Sequence, residues 1–330
     1  MRSKNSNQIT VINSLRGIAA LSVVLYHFIC TTVDYIHNEV LLETFHYGVK
    51  GVQLFFVISG IVIPLSMINN GYTIKKWWNF IVRRFIRIEP PYFAAILLGI
   101  IYLIGRNYIP GTAEVDLTPS VSTILLHLGY LIPFIEDVDW INPVFWTLAV
   151  EFQYYLAISL LLPLALSKKI PLRYLFYAIF IGVTFLPIAS AFFPFWGAYF
   201  MVGISYTLFI KEYIKLPEYI GLSAVLVGVI WWHQGTVDLI VAILAMSAVL
   251  FIPNLKTKPT LFLGKISYSL YLVHTIVGAA FINYLSHQFR DPFEKFLVIS
   301  GGVVVSIIAA YLMYRFVEKP THEYAKRLKH

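Results

Sequence analysis

The segment NSLRGIAALSVVLYHF, residues 13–28, keeps two side chains capable of chemistry in an otherwise apolar run: Arg16 and His27. They are eleven residues apart, which on a helix is about 20° in azimuth and about 16 Å along the axis. They therefore share one face at different depths. A guanidinium binds anions, and an imidazole exchanges protons near neutral pH. The alternative reading is that Arg16 snorkels to lipid headgroups while His27 makes a helix-packing hydrogen bond. A second candidate lies in FWTLAVEFQYYL, residues 145–156, where Glu151 follows Pro143 by eight residues, or about 12 Å of helix. That depth is close to the depth of His27. A carboxylate beside a neutral imidazole orients the ring and stabilises the imidazolium formed on proton transfer, the arrangement of a general base. A structural Glu/His pair tying two helices together is the alternative.

Three further segments contribute. In RRFIRIEPPY, residues 83–92, Arg84 and Arg87 are spaced i and i+3 and can point two guanidinium groups at a phosphate or another anion. Positive anchoring beside Trp77 and Trp78 is the competing explanation. In GVQLFFVISGIVIP, residues 51–64, Ser59 and Gly60 allow close backbone approach, which is more often helix packing than catalysis. In LGKISYSLYLVH, residues 263–274, Tyr268 and His274 are read as supporting residues, with His274 about 12 Å into its span. The nine histidines are scattered, and neither His-x-x-x-His nor Cys-x-x-Cys spacing occurs, so no metal site is expected.

The elements that position these side chains follow from composition. Of 330 residues, 58% are hydrophobic and 13% charged, and the mean hydropathy is +0.74. Such a chain belongs in a bilayer, and its recurrent apolar runs are long enough to cross about 30 Å of hydrocarbon as helices. Spans are expected near 12–33, 47–68, 88–105, 144–166, 174–192, 195–210, 217–232, 236–252, 267–286 and 295–317. Basic loops at 75–87, 168–173, 211–215 and 256–265, with the basic tail, are assigned to the cytoplasm, and the acidic or neutral stretches 34–46, 107–120 and 136–142 to the outside. The apolar run 121–135 cannot cross without inverting this pattern, so it is read as a re-entrant or interfacial helix. The expected fold is all-α: a polytopic membrane helix bundle of about ten transmembrane helices with both termini cytoplasmic. One integral-membrane domain, 1–330, is expected to use the whole chain, with no soluble extracytoplasmic domain and no cleaved leader. The single cysteine, Cys30, implies no disulfide framework. The net charge of +8 speaks for contact with the anionic lipid bilayer rather than for nucleic acid. Oligomeric state is not readable from the sequence. Buried Arg, His and Glu would also suit a transporter or flippase, although no inverted repeat is visible.

In order along the chain, Arg16 and His27 with ten residues between them, FFVISG, Arg84-x-x-Arg87, WTLAVE, ISYSLYLVH and RFVEKP resemble the segments of the membrane acyltransferase-3 family. The resemblance covers essentially the full length. It implies an enzyme that takes an acyl group, commonly acetyl, from cytoplasmic acyl-CoA and delivers it to a hydroxyl of a carbohydrate acceptor such as O-antigen, exopolysaccharide or a signalling oligosaccharide, working in a bacterial cytoplasmic (inner) membrane. It implies His27 and Glu151 as catalytic residues and Arg16, Arg84 and Arg87 as the donor-binding set for acetyl-CoA. His27 would deprotonate the acceptor or carry the acyl group transiently. Two positions depart from the family pattern: Gln53 stands where Asp is frequent, and Phe152 where a second Glu often follows the first.

Overall fold

In hydrocarbon, backbone N–H and C=O groups must be satisfied within the segment, so the apolar runs become helices. The computed structural model describes residues 2–32, 35–106, 118–252 and 254–327. Helix α1 (Arg2–Cys30) is followed by a short amphipathic α2 (Glu39–His46), which turns into α3 (Gly51–Asn69). Then come α4 (Trp77–Arg106), α5 (Val121–Leu128), α6 (Trp146–Ala165), α7 (Ile170–Gly182), α8 (Gly197–Ile210), α9 (Leu216–Gln234) and α10 (Thr236–Phe251). Helix α11 (Lys258–Val273) continues through a π-turn at His274–Ala279 into α12 (Ala280–Ser286). Helix α13 (Pro292–Met313) continues likewise through a π-turn at Tyr314–Glu318 into α14 (Lys319–Arg327).

Eight of these stretches are long and apolar enough to cross a membrane, and two shorter apolar helices, Ile170–Phe185 and Thr236–Phe251, fill the remaining places in the expected order of ten. The eight residues of α5 rise only about 12 Å before Gly129 ends the helix, far short of a crossing. The stretch 107–117 of the expected outer loop lies outside the described residues. One boundary differs from the sequence expectation. The third span was placed from residue 88, after the arginines and at the Pro90-Pro91 pair, whereas α4 is helical from Trp77 straight through both prolines. Membrane helices tolerate proline because neighbours re-satisfy the freed carbonyls, so RRFIRI is a helical arm rather than a loop.

Two close crossings set the frame. Helices α1 and α11 meet at Gly17 and Gly264, where an added Cβ on Gly17 would sit 2.6 Å from the Gly264 nitrogen and one on Gly264 would overlap the Asn13 carbonyl. Helices α3 and α8 meet at Gly60 and Gly203, each of which lies against the other helix's backbone. Without side chains at the contact, backbones approach closely enough for dispersion to drive association in lipid. The first crossing places Arg16 beside α11, and the second fixes the neighbour of Ser59.

Asp238, at the start of α10, ties three elements. It accepts from Lys50 Nζ at 2.7 Å, Gln53 Nε2 at 2.9 Å and Tyr199 Oη at 3.0 Å. Gln53 is a donor here, and an aspartate in its place would set two carboxylates against each other. That accounts for this departure from the family pattern by local electrostatics.

Candidate active site

Helices α1, α3, α4, α6 and α11 and the π-turn before α14 enclose a cavity of about 100 Å³. Arg16, Ser59, Arg84, Arg87, Glu151 and Tyr268 all line it, so six of the residues singled out in the sequence share one site. Among the described residues none of the three guanidinium groups has a carboxylate within ion-pair distance; the ion pairs are Lys50–Asp238, Arg173–Glu218 and Lys319–Glu323. Arg84 is only 9% exposed and is sandwiched by aromatic faces, 5.3 Å from the Phe80 centroid and 5.6 Å from that of Tyr155. Stacking of this kind suits a delocalised guanidinium and leaves its N–H edge for an anion.

Glu151 Oε1 accepts from Ser59 Oγ at 2.9 Å and from Tyr155 Oη at 2.7 Å. Tyr155 lies one turn along α6 from Glu151, an i, i+4 neighbour that the sequence reading passed over. Ser59 and Gly60 thus have separate duties: the glycine packs against α8, and the serine fixes the carboxylate. Oε2 has no donor among the described residues. The second carboxylate of the lining, Glu318 from the RFVEKP segment, accepts from Ser269 Oγ at 2.6 Å. Three cations against two carboxylates give the cavity a surplus of positive charge.

The two histidines lie outside that lining and face each other. His274 is fully buried, His27 half-buried, and their rings are 5.0 Å apart. His274 Nδ1 is 2.8 Å from the Tyr271 carbonyl and 3.1 Å from that of Leu270, so Nδ1 carries the proton and Nε2 a lone pair. His27 Nδ1 is 2.9 Å from the Val23 carbonyl and 3.3 Å from His274 Nε2, so it too is protonated at Nδ1 and donates to both. The network therefore assigns His27 Nε2 an unshared lone pair with no partner among the described residues. The structure does not join His27 to Glu151 by a hydrogen bond. The ring is oriented instead by the Val23 carbonyl and by His274, because Glu151 is drawn to Ser59 and Tyr155 deeper in the bundle. This corrects the expected His27–Glu151 pair.

Tyr271 connects the two clusters. Its ring lines the cavity and lies 5.9 Å from that of His274, while its hydroxyl accepts from Thr147 Oγ1 at 2.9 Å. Asn142, 1% exposed, fixes the start of α6 against the same end of α11: its Nδ2 donates to the Leu272 carbonyl at 3.1 Å, and its Oδ1 accepts from Thr275 Oγ1 at 2.8 Å. These contacts hold α6, and hence Glu151, in register with the π-turn that begins at His274. Tyr271, Asn142 and Glu318 were missed in the sequence because each works through a partner far away in the chain, whereas Tyr155 was legible from its i, i+4 spacing to Glu151. Phe152, the other departure, stacks on Tyr130 at 4.8 Å and closes a small side cavity that also contains Glu89 and Arg84.

The described residues contain no cluster of three or more His, Cys, Asp or Glu suited to a metal ion. The family model described as an acyltransferase domain matches residues 9–315. Over 367 residues the chain is 23% identical to O-acetyltransferase OatA of Staphylococcus aureus strain NCTC 8325, an alignment covering 94% of this chain and 56% of the relative. A provisionally named O-acetyltransferase of Staphylococcus aureus strain COL is 24% identical over 371 residues, covering 96% of this chain and 58% of the relative. The chain therefore spans a little over half the length of the curated relatives it matches. No solved structure matches.

Proposed function

The chain belongs to the acyltransferase family whose domain it matches over residues 9–315, and from that premise we propose that it moves an acetyl group from cytoplasmic acetyl-CoA to a hydroxyl of a cell-surface or lipid-linked carbohydrate. O-antigen, exopolysaccharide and signalling oligosaccharides are the acceptor class, and the bacterial inner membrane is the setting. The observation that carries this reading is the convergence of Arg16, Arg84 and Arg87, without carboxylate partners among the described residues, on one cavity enclosed by long apolar helices. Unpaired charge is costly there, so the site is built to receive an anion. The diphosphate of a CoA thioester meets that need through bidentate, charge-assisted hydrogen bonds. The names of the relatives support acetyl as the group transferred.

In the proposed reaction the thioester enters from the arginine side and the acceptor hydroxyl from the opposite side. His27 Nε2 takes the hydroxyl proton as the oxygen attacks the thioester carbonyl; the tetrahedral intermediate then expels the CoA thiolate, which recovers that proton from the imidazolium. The products are the carbohydrate ester and CoA, with no net proton change. His274 fixes the His27 tautomer, and Glu151 Oε2 accepts an amide N–H of the pantetheine arm. Since Tyr271 separates the cavity from the histidines, the acyl end reaches His27 past its ring. An acyl-His27 intermediate is the variant route, in which the same Nε2 is the nucleophile.

The test is transfer by the purified protein. Labelled acetyl-CoA and a glycan acceptor should yield labelled glycan and free CoA, and His27→Ala should cost about 10²–10⁴-fold in kcat, the usual contribution of a general base. A folded His27→Ala protein with full activity would overturn both routes, and solute movement without CoA release would make the protein a transporter.

A further inference from the structure

On its far side from the histidines, the guanidinium pair faces a second and wider cavity of about 360 Å³, within the range of pockets that take small-molecule ligands. Arg84 and Arg87 line both cavities, so the two are consecutive compartments of one path. One wall is the end of α3 and the start of α4, with Asn70, Lys76, Asn79 and Arg83. The other wall is α14, which packs along α4. Down the π-turn and α14, Glu318, His322 and Lys326 are spaced i, i+4 and i+8, one strip about 12 Å long. Glu318 faces the inner cavity, whereas His322 and Lys326 face the wider one, with buried Ala325 seating the helix.

The two compartments differ in charge. Glu151 and Glu318 line the inner one together with its arginines, but no Asp or Glu lines the outer one, where Lys76, Arg83 and Lys326 add to Arg84 and Arg87. A thioester and its diphosphate account for the arginines shared with the inner cavity. They do not reach the far wall, where His322 and Lys326 of α14 face the compartment.

Resting on the reading of the inner cavity as the acyl-CoA site, we propose that α14 is a wall of a second subsite that takes the phosphorylated nucleoside end of the donor, with Lys326 and His322 facing its 3′-phosphate. A phosphomonoester brings a charge of about −1.5 to −2 at pH 7, which suits several basic groups in a carboxylate-free compartment. The enzyme then discriminates between CoA and donors truncated at that end. The C-terminal helix is a specificity element rather than a mere anchor.

The experiment uses the full chain in phosphatidylcholine nanodiscs and adenosine 3′,5′-bisphosphate as probe, with binding read separately from turnover. Wild type should bind the probe, more weakly as salt rises. Lys326→Glu should weaken probe and CoA binding at least tenfold and leave the KM for acetyl-pantetheine unchanged, and Lys326→Arg should retain binding. Lys326 is exposed, so the substitutions spare the core. Equal affinity for CoA and 3′-dephospho-CoA in wild type, or wild-type probe affinity in Lys326→Glu, would overturn the subsite. Loss of probe binding in phosphatidylglycerol discs would make it a lipid headgroup site and overturn it equally. If the probe binds through Lys326 but acetyl-CoA is never turned over, the proposed activity fails and the subsite stands.

Discussion

At the scale of single residues, the decisive feature is which atom of which histidine is free. Both Nδ1 atoms are claimed by backbone carbonyls one turn back, and His274 Nε2 is claimed by His27, so only His27 Nε2 is available to a substrate. His274 is on this account a positioning residue. Replacing it by Leu removes one acceptor from His27 Nδ1–H, a loss of about 1 kcal/mol for an ordinary hydrogen bond, or roughly fivefold in rate. The expected outcome is a lower kcat with the donor KM unchanged, and partial rescue in His274→Gln, whose amide oxygen can accept the same bond. A parallel rise in KM, or no rescue, would assign His274 to packing instead. Arg16, His27 and Glu151 stood out in the sequence as candidates, since ionisable residues are conspicuous in apolar runs. Their pairing was not legible: a depth estimate fixes position along the bilayer normal but says nothing about azimuth between helices. Glu151 and His27 can share a depth while the fold gives each a different partner.

At the scale of elements, the spans were legible because hydrophobic length is a direct consequence of bilayer thickness, while the parts that set register were not. Asn142 and the π-turn at His274 depend on tertiary contacts that no local pattern announces. The same holds for α5, read as not crossing, whose attachment centres on His127, the carbonyl of which accepts from Tyr92 Oη at 3.2 Å. His127 is fully buried; its Nδ1–H donates to the Thr123 carbonyl at 2.8 Å and its Nε2 accepts from the Ile141 N–H at 3.0 Å. Burial holds its pKa below the ordinary imidazole value. A group depressed in the folded state binds its proton more readily when unfolded. The attachment of α5 is therefore at full strength above about pH 6.5 and is lost as pH falls from there through the depressed value. Protonation at Nε2 would also set N–H against the Ile141 N–H. Hydrogen-exchange protection of the Ile141 amide, corrected for intrinsic pH dependence, should fall below about pH 6.5 while the Val57–Ile61 amides of α3 stay protected. Protection of Ile141 that is flat down to pH 5 would count against this attachment.

At the scale of the whole molecule, the proposal requires that donor and acceptor meet from opposite sides, and the charges on the two ends of the bundle bear on which side is which. By alternation of the ten helices, the end with the wide basic cavity also carries Lys75, Lys76, Lys168, Lys169, Lys211, Lys215, Lys256 and Lys258 in its connections. The other end carries Glu39, Glu43, Glu136, Asp137 and Asp139, with Arg290 and Lys295 balanced locally by Asp291 and Glu294. Excess lysine and arginine in short loops stays cytoplasmic, so the proposal takes α14 and the arginine mouth as the inside and His27 as lying towards the outside, and labelling tests that orientation. Cys30 is the single cysteine, so a Cys30→Ser background lets one introduced thiol report on each end. Glu136 and Glu323 are exposed and at opposite ends, and the Lys319–Glu323 contact at 3.8 Å is a surface pair of little energetic weight. A membrane-impermeant maleimide should label Glu136→Cys in intact cells and Glu323→Cys only after permeabilisation. The reverse pattern would put the basic mouth outside, away from cytoplasmic CoA, and would end the donor assignment even if the arginine cavity binds an anion. Labelling of both in intact cells would mean that the connections do not alternate, and the chemistry would then have to be confined to one face of the membrane.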